Sequence, residues 1–469
     1  MNRSAHFHEK RHILMNHSVS AASSGSHLYS GRSLLALMIP LICEQIFTAF
    51  MGTADSMMVS NVSEAAISAV SLVDSINVLV IQAFYALASG GAIVCANYLG
   101  QQRRDRAERS ANQLLFVVLM ISLVITALCL IFRAPLLRLV FGSVEQEVMD
   151  DALAYFFYTS MSFPFIALFD SGSSIFRAQN NSRLPMIITI STNLLNIFGN
   201  AVLIWGAGLG VSGAAISTLV SRIVAAAAVL LLLRRPSGAI VIGNFVFLRP
   251  QKRLVKDILR IGIPSGVENG MFQFGKLAIQ STVSTLGTAA IAAQAMTNII
   301  ENFNGIAGMG IGIGMMTVVG QCLGAGRPDE ARYYIKKLSF AAEIVVTASC
   351  ILLFLLSGPI VRLAGLETES ASLCLHMLMW ITIVKPLVWT ASFVPGYGLR
   401  AAGDVRFSMI LSCLSMWLCR VVLCIVLIRF FHFGPMGVWI GMFTDWTVRG
   451  IGFIIRFKSG RWLNHTVTS

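Results

Sequence analysis

The sequence predicts an all-α membrane protein in which twelve transmembrane helices form two similar six-helix lobes. Of the 469 residues, 56% are hydrophobic and only 12% are charged, and the mean hydropathy is +0.74. This is too little polar side chain to cover a soluble globule of such length. Apolar stretches long enough to cross about 30 Å of hydrocarbon recur along the chain. A backbone group without a hydrogen-bond partner is costly in lipid, so a spanning segment must be a helix or a barrel strand. Long continuous apolar runs favour helices, because barrel strands alternate apolar and polar residues.

Each predicted helix corresponds to one apolar stretch. In the N-terminal half the stretches lie near residues 34–60, 66–99, 112–132, 152–176, 184–205 and 211–233, and in the C-terminal half near residues 257–285, 289–322, 338–357, 371–396, 407–430 and 435–457. Pro164 and Pro386 lie inside the fourth and tenth stretches. They predict kinks there, because proline removes a helical hydrogen bond.

The two halves of the chain repeat one another. Residues 40–105 align with residues 264–329 without a gap, at a constant offset of 224 residues, and many identical residues coincide. A second match, at an offset of 223, joins FRAQNNSR at residues 176–183 to LRAAGDVR at residues 399–406. Two homologous bundles in an apolar chain favour a transporter, because a site between them can be opened to either side by rocking one bundle against the other.

The net charge of +13 is interpreted as an orientation signal, and no nucleic-acid partner is expected. Nineteen basic residues fall in the loops after the second, fourth, sixth, eighth and tenth stretches: Arg103, Arg104, Arg106, Arg109, Arg177, Arg183, Arg234, Arg235, Arg249, Lys252, Arg253, Lys256, Arg260, Arg327, Arg332, Lys336, Lys337, Arg400 and Arg406. The opposite loops hold four: Arg133, Arg138, Arg362 and Arg429. The positive-inside rule places the first set in the cytoplasm, so both termini of a twelve-helix protein of the cell membrane are predicted to be cytoplasmic.

Polar segments set the predicted domain boundaries. Residues 1–31 are predicted to be a disordered cytoplasmic tail, and their histidines lack the fixed geometry of a metal site. The N-terminal lobe spans residues 32–235, a linker broken by proline and glycine spans 236–256, the C-terminal lobe spans 257–458, and a second cytoplasmic tail spans 459–469. The nine cysteines lie in apolar runs without CxxC spacing and are interpreted as packed core residues.

Ionisable residues inside apolar stretches predict ion or substrate pathways, because they are costly in lipid. Glu44 and Asp55 lie on one face of the first predicted helix, about 16 Å apart along its axis. The fifth helix carries a polar stripe of Asn193, Asn196 and Asn200. Amide groups opposite a carboxylate suit a site for a proton or Na⁺.

The internal repeat separates shared polar residues from unshared ones. Glu44 has a counterpart in Glu268, which favours a structural role for both, although cargo contact stays an alternative. The polar cluster of the first lobe has no counterpart in the second. The equivalents of Asp55, Asn193, Asn196 and Asn200 are Ile279, Met416, Cys419 and Leu423. Asp55 is therefore interpreted as a specialised, functional residue.

A second set of polar residues predicts a wall of the substrate cavity. Asp74 and Asn77 on the second helix align with Asn298 and Glu301 on the eighth, so the lobes are expected to face each other with similar polar surfaces. The full set of cavity candidates is Glu44, Asp74, Asn77, Glu268, Gln273, Lys276, Asn298 and Glu301. Two interpretations of Lys276 and Glu301 stay open, an ion pair between the seventh and eighth helices or the lining of a cavity for an organic substrate. The remaining buried charges are interpreted as helix-to-helix pairs or snorkelling ends: Asp170, Arg222, Lys385, Arg420, Asp445 and Arg449.

Four segments resemble the multidrug and toxic compound extrusion (MATE) family of antiporters. They are GTADSMMVSNVSEAAISAVSLVDSI, GGAIVCANYLGQ, AAIAAQAMTNIIENFNGIAGMGIGIGMMTVVGQCLGAG and FRAQNNSRLPM. The resemblance covers about residues 33–458. It implies two lobes related by a pseudo-twofold axis around a central cavity. It also implies export of bulky, often cationic or amphipathic compounds in exchange for H⁺ or Na⁺.

The resemblance also implies a cation pocket in the N-terminal lobe, formed here by Asp55, Asn196, Asn200 and Thr218. The sequence departs from the family in two respects. The position of Asn200 is commonly aspartate, and Phe272 and Trp389 stand where members coupled through the other lobe carry acidic groups. Burial disfavours the charged form of a carboxylate. We therefore expect protonation of Asp55 to drive transport, with Na⁺ binding at Asp55 as the alternative.

The function predicted from the sequence is that of a secondary active multidrug efflux antiporter working by alternating access. We expect a monomer in contact with membrane lipid, with small organic cations or amphipathic drugs as cargo and no cofactor beyond the coupling ion. The alternative is a flippase for a lipid-linked precursor, which Lys276 and Lys385 keep open. No HExxH, GxSxG or GxxxxGK[ST] motif points to an enzyme or an ATP-driven pump.

Overall fold

The computed structural model describes residues 27–142, 145–236, 238–243, 245 and 249–468. Every regular element in these ranges is helical. By its internal contacts the chain divides into a short unit, residues 1–35, and a unit that holds residues 36–469. Most of the predicted N-terminal tail, residues 1–26, lies outside the described residues, and helix begins at Gly31.

The described residues of the N-terminal half form eight helices. They are α1 (Gly31–Ser60), α2 (Glu64–Gly100), α3 (Arg104–Ile131), α4 (Arg133–Phe141), α5 (Gln146–Met161), α6 (Phe163–Ala178), α7 (Arg183–Asn200) and α8 (Gly210–Leu233). A π-helical turn, Ala201–Gly206, continues α7. Ser63 caps α2, because its hydroxyl accepts a 2.9 Å hydrogen bond from the backbone N–H of Ala66.

The C-terminal half repeats this order. Its helices are α9 (Lys252–Val283), α10 (Thr288–Gly324), α11 (Pro328–Leu363), α12 (Thr368–Ala401), α13 (Val405–Leu414), α14 (Leu423–Arg429) and α15 (Met436–Lys458). A 3₁₀ turn, Ser284–Leu286, follows α9, a π-helical segment, Ser415–Val422, joins α13 to α14, and a short 3₁₀ helix, Arg461–Asn464, follows α15.

Nine helices of the described residues are long and apolar enough to span a membrane, and the bent pair α5 and α6 makes a tenth. The 43° bend between α5 and α6 lies at Pro164, in the first turn of α6, where the sequence predicts a kink. Helices α9 and α15 do not meet the same test. The all-helical membrane fold is confirmed, whereas the number twelve stays a prediction.

The two halves meet at a symmetrical crossing of α2 and α10. A Cβ atom at Gly100 on α2 would collide with the backbone carbonyl of Gln321 on α10, and a Cβ atom at Gly324 would collide with the backbone carbonyl of Asn97. Asn97 and Gly100 are the repeat equivalents of Gln321 and Gly324. This reciprocal contact is the one a pseudo-twofold relation between the halves requires. Glycine is needed at both positions, because no other residue permits so close a backbone approach.

We predict that Gly100→Ala destabilises the protein, because the added methyl group meets backbone that no side-chain rotation can move. The expected loss is about 1–3 kcal/mol, the usual cost of overpacking. Gly358→Ala in α11 is the matched control, since its Cβ meets nothing within 4 Å. Thermal unfolding of the two purified variants in detergent measures the difference. Equal melting temperatures for the two variants would contradict the close contact.

Candidate cation and cargo sites

Asp55, on α1, is held by the side chains of α7. The amide nitrogen of Asn200 donates to Asp55 Oδ1 at 2.9 Å. Asn196, one turn earlier, satisfies its hydrogen bonds when its amide nitrogen donates to Asp55 Oδ1 at 2.9 Å and Oδ2 at 3.1 Å, and its oxygen accepts from the backbone N–H of Thr218 at 3.2 Å. The structure therefore brings the predicted cation residues Asp55, Asn196, Asn200 and Thr218 together.

The packing of α7 on α8 fixes this arrangement. Asn196 and Asn200 are four residues apart, so they lie on one face of α7, and both are buried. The hydroxyl of Ser217 on α8 donates to the backbone carbonyl of Asn196 at 2.8 Å. The hydroxyl of Thr218 donates to the carbonyl of Ala214 at 3.0 Å. The third member of the predicted stripe, Asn193, does not hydrogen-bond Asp55, and its amide nitrogen finds no partner among the described residues.

The chemistry available to Asp55 follows from its partners. Within the described ranges its carboxylate contacts amide groups and forms no ion pair with a Lys or Arg side chain. The buried side-chain oxygen of Asn200 accepts no hydrogen bond there. This oxygen is an acceptor for the O–H of a protonated carboxyl group or a ligand for a cation. Asp55 can therefore bind a proton or another cation without first breaking a salt bridge.

A second carboxylate, Asp74 on α2, sits among neutral hydrogen-bond donors. Asp74 Oδ1 accepts from the amide of Asn77 at 3.2 Å and from the hydroxyl of Tyr155 at 3.4 Å. Asn77 is buried and Asp74 is half-buried. Their repeat equivalents, Asn298 and Glu301 on α10, have different partners. Asn298 accepts from Gln294 at 3.3 Å, and Glu301 lies in an ion pair.

Two equivalent ion pairs stabilise the two halves. Glu44 on α1 binds Arg177 on α6 at 2.6 Å, and Glu268 on α9 binds Arg400 on α12 at 2.6 Å. Both glutamates are at most 4% exposed, which supports the structural role over cargo contact. The pairing of each glutamate with its arginine was not predicted from the sequence. The signal was present, since Glu44 and Glu268 match at an offset of 224 and Arg177 and Arg400 at an offset of 223.

The expected pair between Lys276 and Glu301 does not form. Glu301 Oε1 binds Lys385 Nζ at 2.6 Å instead, and Lys385 also donates to the backbone carbonyl of Glu301 at 3.3 Å. Lys385 is fully buried where α12 packs on α10, and an unpaired cation there would be costly. Glu301 therefore compensates the buried lysine, whereas Lys276 and Gln273 remain on the accessible surface of α9.

Cations, and not acids, surround the positions where some family members carry a second acidic site. The ring of Phe272 lies 5.8 Å from Arg420 and 5.1 Å from Arg449, and the ring of Trp389 lies 5.1 Å from Lys385 Nζ. Arg420 and Arg449 both bind Asp445, at 2.9 and 3.4 Å. The carboxylates of this region are thus engaged by arginine and lysine side chains.

We predict that Glu44→Gln destabilises the protein by about 3–5 kcal/mol, because it leaves the buried Arg177 guanidinium without a counter-charge. The double variant Glu44→Gln with Arg177→Met removes both charges and should recover most of the loss. Thermal unfolding and folded yield after size-exclusion chromatography measure both variants. A single variant as stable as the double variant would show that the pair is not a buried scaffold contact.

Comparisons with known proteins identify the family and the fold of the chain. The sequence model of the MatE family matches residues 40–202 and again residues 264–426, once in each half. Uncharacterized transporter YisQ of Bacillus subtilis is 28% identical over 438 residues, which cover 92% of this chain and 95% of the relative. Probable multidrug resistance protein NorM of Thermotoga maritima is 27% identical over 457 residues, covering 93% and 94%.

A solved structure described as the outward-facing conformation of a multidrug resistance MATE family transporter of the MOP superfamily has the same fold. Its TM-score is 0.84 at 20% identity, covering 92% of this chain and 96% of that chain. The resemblance found in the sequence is thereby confirmed. The chain belongs to the MatE family and is a multi-pass membrane transporter, not an enzyme.

Proposed function

We propose that this protein exports bulky organic compounds across the cell membrane in exchange for H⁺, and that Asp55 carries the coupling proton. Several relatives bear multidrug resistance names, which supports an organic cargo. The observation that carries the proposal is the Asp55 carboxylate, held by the amides of Asn196 and Asn200 with no cationic partner in the described chain. Such a group gains or loses one proton and changes the charge of the lobe by one unit.

The geometry favours H⁺ over Na⁺. A hard cation requires several oxygen ligands. At this site both asparagines direct their nitrogen atoms towards Asp55, so rotation of the Asn200 amide would give a cation one amide oxygen beside the carboxylate, which is fewer oxygen ligands than a hard cation requires. A proton needs only the carboxylate and one acceptor for the resulting O–H, which the unpaired Asn200 oxygen provides after rotation of the amide.

The transport cycle we propose is alternating access. The close crossing of α2 and α10 lies at the end of these helices that carries basic loops, and the positive-inside rule favours a cytoplasmic location for this end. Asp55 lies towards the other end of α1 and would receive its proton from outside. Pro40 interrupts the hydrogen bonds of α1, so this helix is able to change shape when Asp55 is neutralised.

The flippase alternative has less support in the structure. Lys385 cannot line a cavity for an anionic headgroup, because it is buried and neutralised by Glu301. Lys276 alone remains of the two lysines on which this alternative depends.

Asp55→Asn should abolish the exchange of cargo for protons, because an amide at this position cannot change its charge. Proteoliposomes with an internal pH dye report proton movement when a fluorescent cargo such as rhodamine 123 is added. Asp329→Asn, an exposed acid at the start of α11, is the matched control. Proton movement that continues unchanged in Asp55→Asn would remove Asp55 from the mechanism, and exchange driven by a Na⁺ gradient alone would replace H⁺ by Na⁺.

Asn200→Asp should make transport sensitive to Na⁺, because it supplies the second carboxylate that is common in the family at this position. We expect Na⁺ to stimulate cargo uptake into inverted vesicles by at least about threefold, since one added charged ligand is worth more than 1 kcal/mol. Asn200→Leu, which introduces the residue of the equivalent position 423, is the control and should show no Na⁺ stimulation. A Na⁺-insensitive Asn200→Asp variant that still folds would show that the missing carboxylate does not decide ion choice.

A further inference from the structure

Two arginines in the C-terminal half share a single buried carboxylate. Asp445 on α15 accepts from Arg420 at 2.9 Å, from Arg449 at 3.4 Å and, through its other oxygen, from the hydroxyl of Ser415 at 2.7 Å. All three charged side chains are at most 5% exposed. An arginine keeps its charge in proteins. The cluster therefore holds one positive charge that Asp445 does not neutralise.

The guanidinium of Arg420 also has an unfilled donor. Its Nε is buried and has no acceptor among the described residues. Arg449, by contrast, uses its Nε to bind the hydroxyl of Ser392 at 2.8 Å. A buried cationic donor without an acceptor costs free energy. An anion beside Arg420 would remove both the excess charge and the unfilled donor.

Lys276 adds a second cation to the same region. Phe272, one turn before Lys276 on α9, has its ring 5.8 Å from the Arg420 guanidinium, so Lys276 lies on the part of α9 that faces Arg420. The carboxylate of Glu301 is already bound to Lys385. Lys276 forms no ion pair or hydrogen bond with any described residue, and the residue is exposed by its accessible surface. The electrostatic field at Lys276 is therefore that of a site for a negative charge.

The exposed surface around Lys276 is polar and differs from the lipid-type surface of α9. Lys276 shares a helix face with Gln273 and Gln280, at spacings of three and four residues. The exposed apolar residues of α9 lie on another face: Ile263, Val267, Phe274 and Leu277, each at least 47% exposed. An exposed lysine between two glutamines suits a water-filled cavity and not hydrocarbon.

The repeat shows that these cations are specific to the C-terminal half. By the offsets of 224 and 223, Lys276 and Arg420 correspond to Gly52 and Ile197. Between the two arginines lies the ring of Phe272, 5.8 Å from Arg420 and 5.1 Å from Arg449. An aromatic wall beside a pair of cations is suited to an amphipathic molecule with an acidic group.

We propose that Lys276 and Arg420 form an anion subsite that binds the carboxylate of an amphipathic organic cargo. The inference rests on the proposed export function and defines its substrate class. Cargo that joins an aromatic body to an acidic group, including zwitterions, is preferred over purely cationic cargo. The subsite lies in the lobe opposite to Asp55.

Rhodamine 110 and rhodamine 123 test the subsite, because they differ only in a free carboxylate against its methyl ester. Fluorescence anisotropy of the full-length protein in phosphatidylcholine nanodiscs gives the affinity for each dye. We expect the wild type to bind rhodamine 110 about tenfold more tightly, the usual value of a charge-assisted contact. Lys276→Met should abolish this preference, whereas Lys276→Arg and the neighbouring control Gln280→Met should retain it.

Several outcomes would overturn the proposal. Equal affinity for the two dyes in a wild type that exports both would remove the anion subsite and leave the export function standing. A wild type that neither binds nor exports either dye would contradict both proposals. Phosphatidylglycerol nanodiscs test a lipid source of the anion. A preference for rhodamine 110 that disappears only in this lipid would assign Lys276 to a headgroup instead of cargo.

Discussion

The requirement that a buried charge have a partner governs this structure, because hydrocarbon and closely packed helices offer no water to solvate it. The pairs Glu44–Arg177 and Glu268–Arg400 meet this requirement in the same way in both halves. Each pair fixes the first helix of its half to the helix that contains the arginine, α1 to α6 and α9 to α12. The glycine crossing of α2 and α10 then joins the two halves through backbone contacts that also obey the repeat. The framework is thus built twice from the same contacts.

Two departures from the repeat carry a charge that no opposite charge neutralises within the described chain. Asp55 has amide partners and no ion pair within the described chain, and its equivalent is Ile279. Lys276 has no partner there, and its equivalent is Gly52. A charge of this kind costs free energy in the absence of a ligand, so it is retained where a ligand compensates it. These two unshared charges are the ones we propose to bind the coupling ion and the cargo.

The sequence predicted the helical membrane fold, the repeat and the kink at Pro164, because these depend on local composition and on the periodicity of one chain. Which buried charges pair with one another was harder to predict from the sequence. Of the two interpretations of Lys276 and Glu301, the ion pair does not form, because the packing of α12 on α10 brings Lys385 to this glutamate instead. The Glu–Arg pairs were missed although both members repeat. The amide orientation of Asn196, which decides whether the site offers nitrogen or oxygen to an ion, depends on the backbone N–H of Thr218 and is not encoded in spacing.

Asp55 and Lys276 lie at nearly equivalent positions of α1 and α9, which are equivalent helices of the repeat. Positions 52 and 55 of α1 are equivalent to positions 276 and 279 of α9, and residues three apart lie on the same helix face. In α1 this face carries Gly52 and Asp55, and in α9 it carries Lys276 and Ile279. Each copy has therefore placed one charge, one turn apart and of opposite sign, on a surface that the other copy keeps uncharged. The ion pair at Glu44 holds α1 in place, and the ion pair at Glu268 holds α9 in place. The later turns of the two helices can therefore carry charges of opposite sign without changing how each helix is packed.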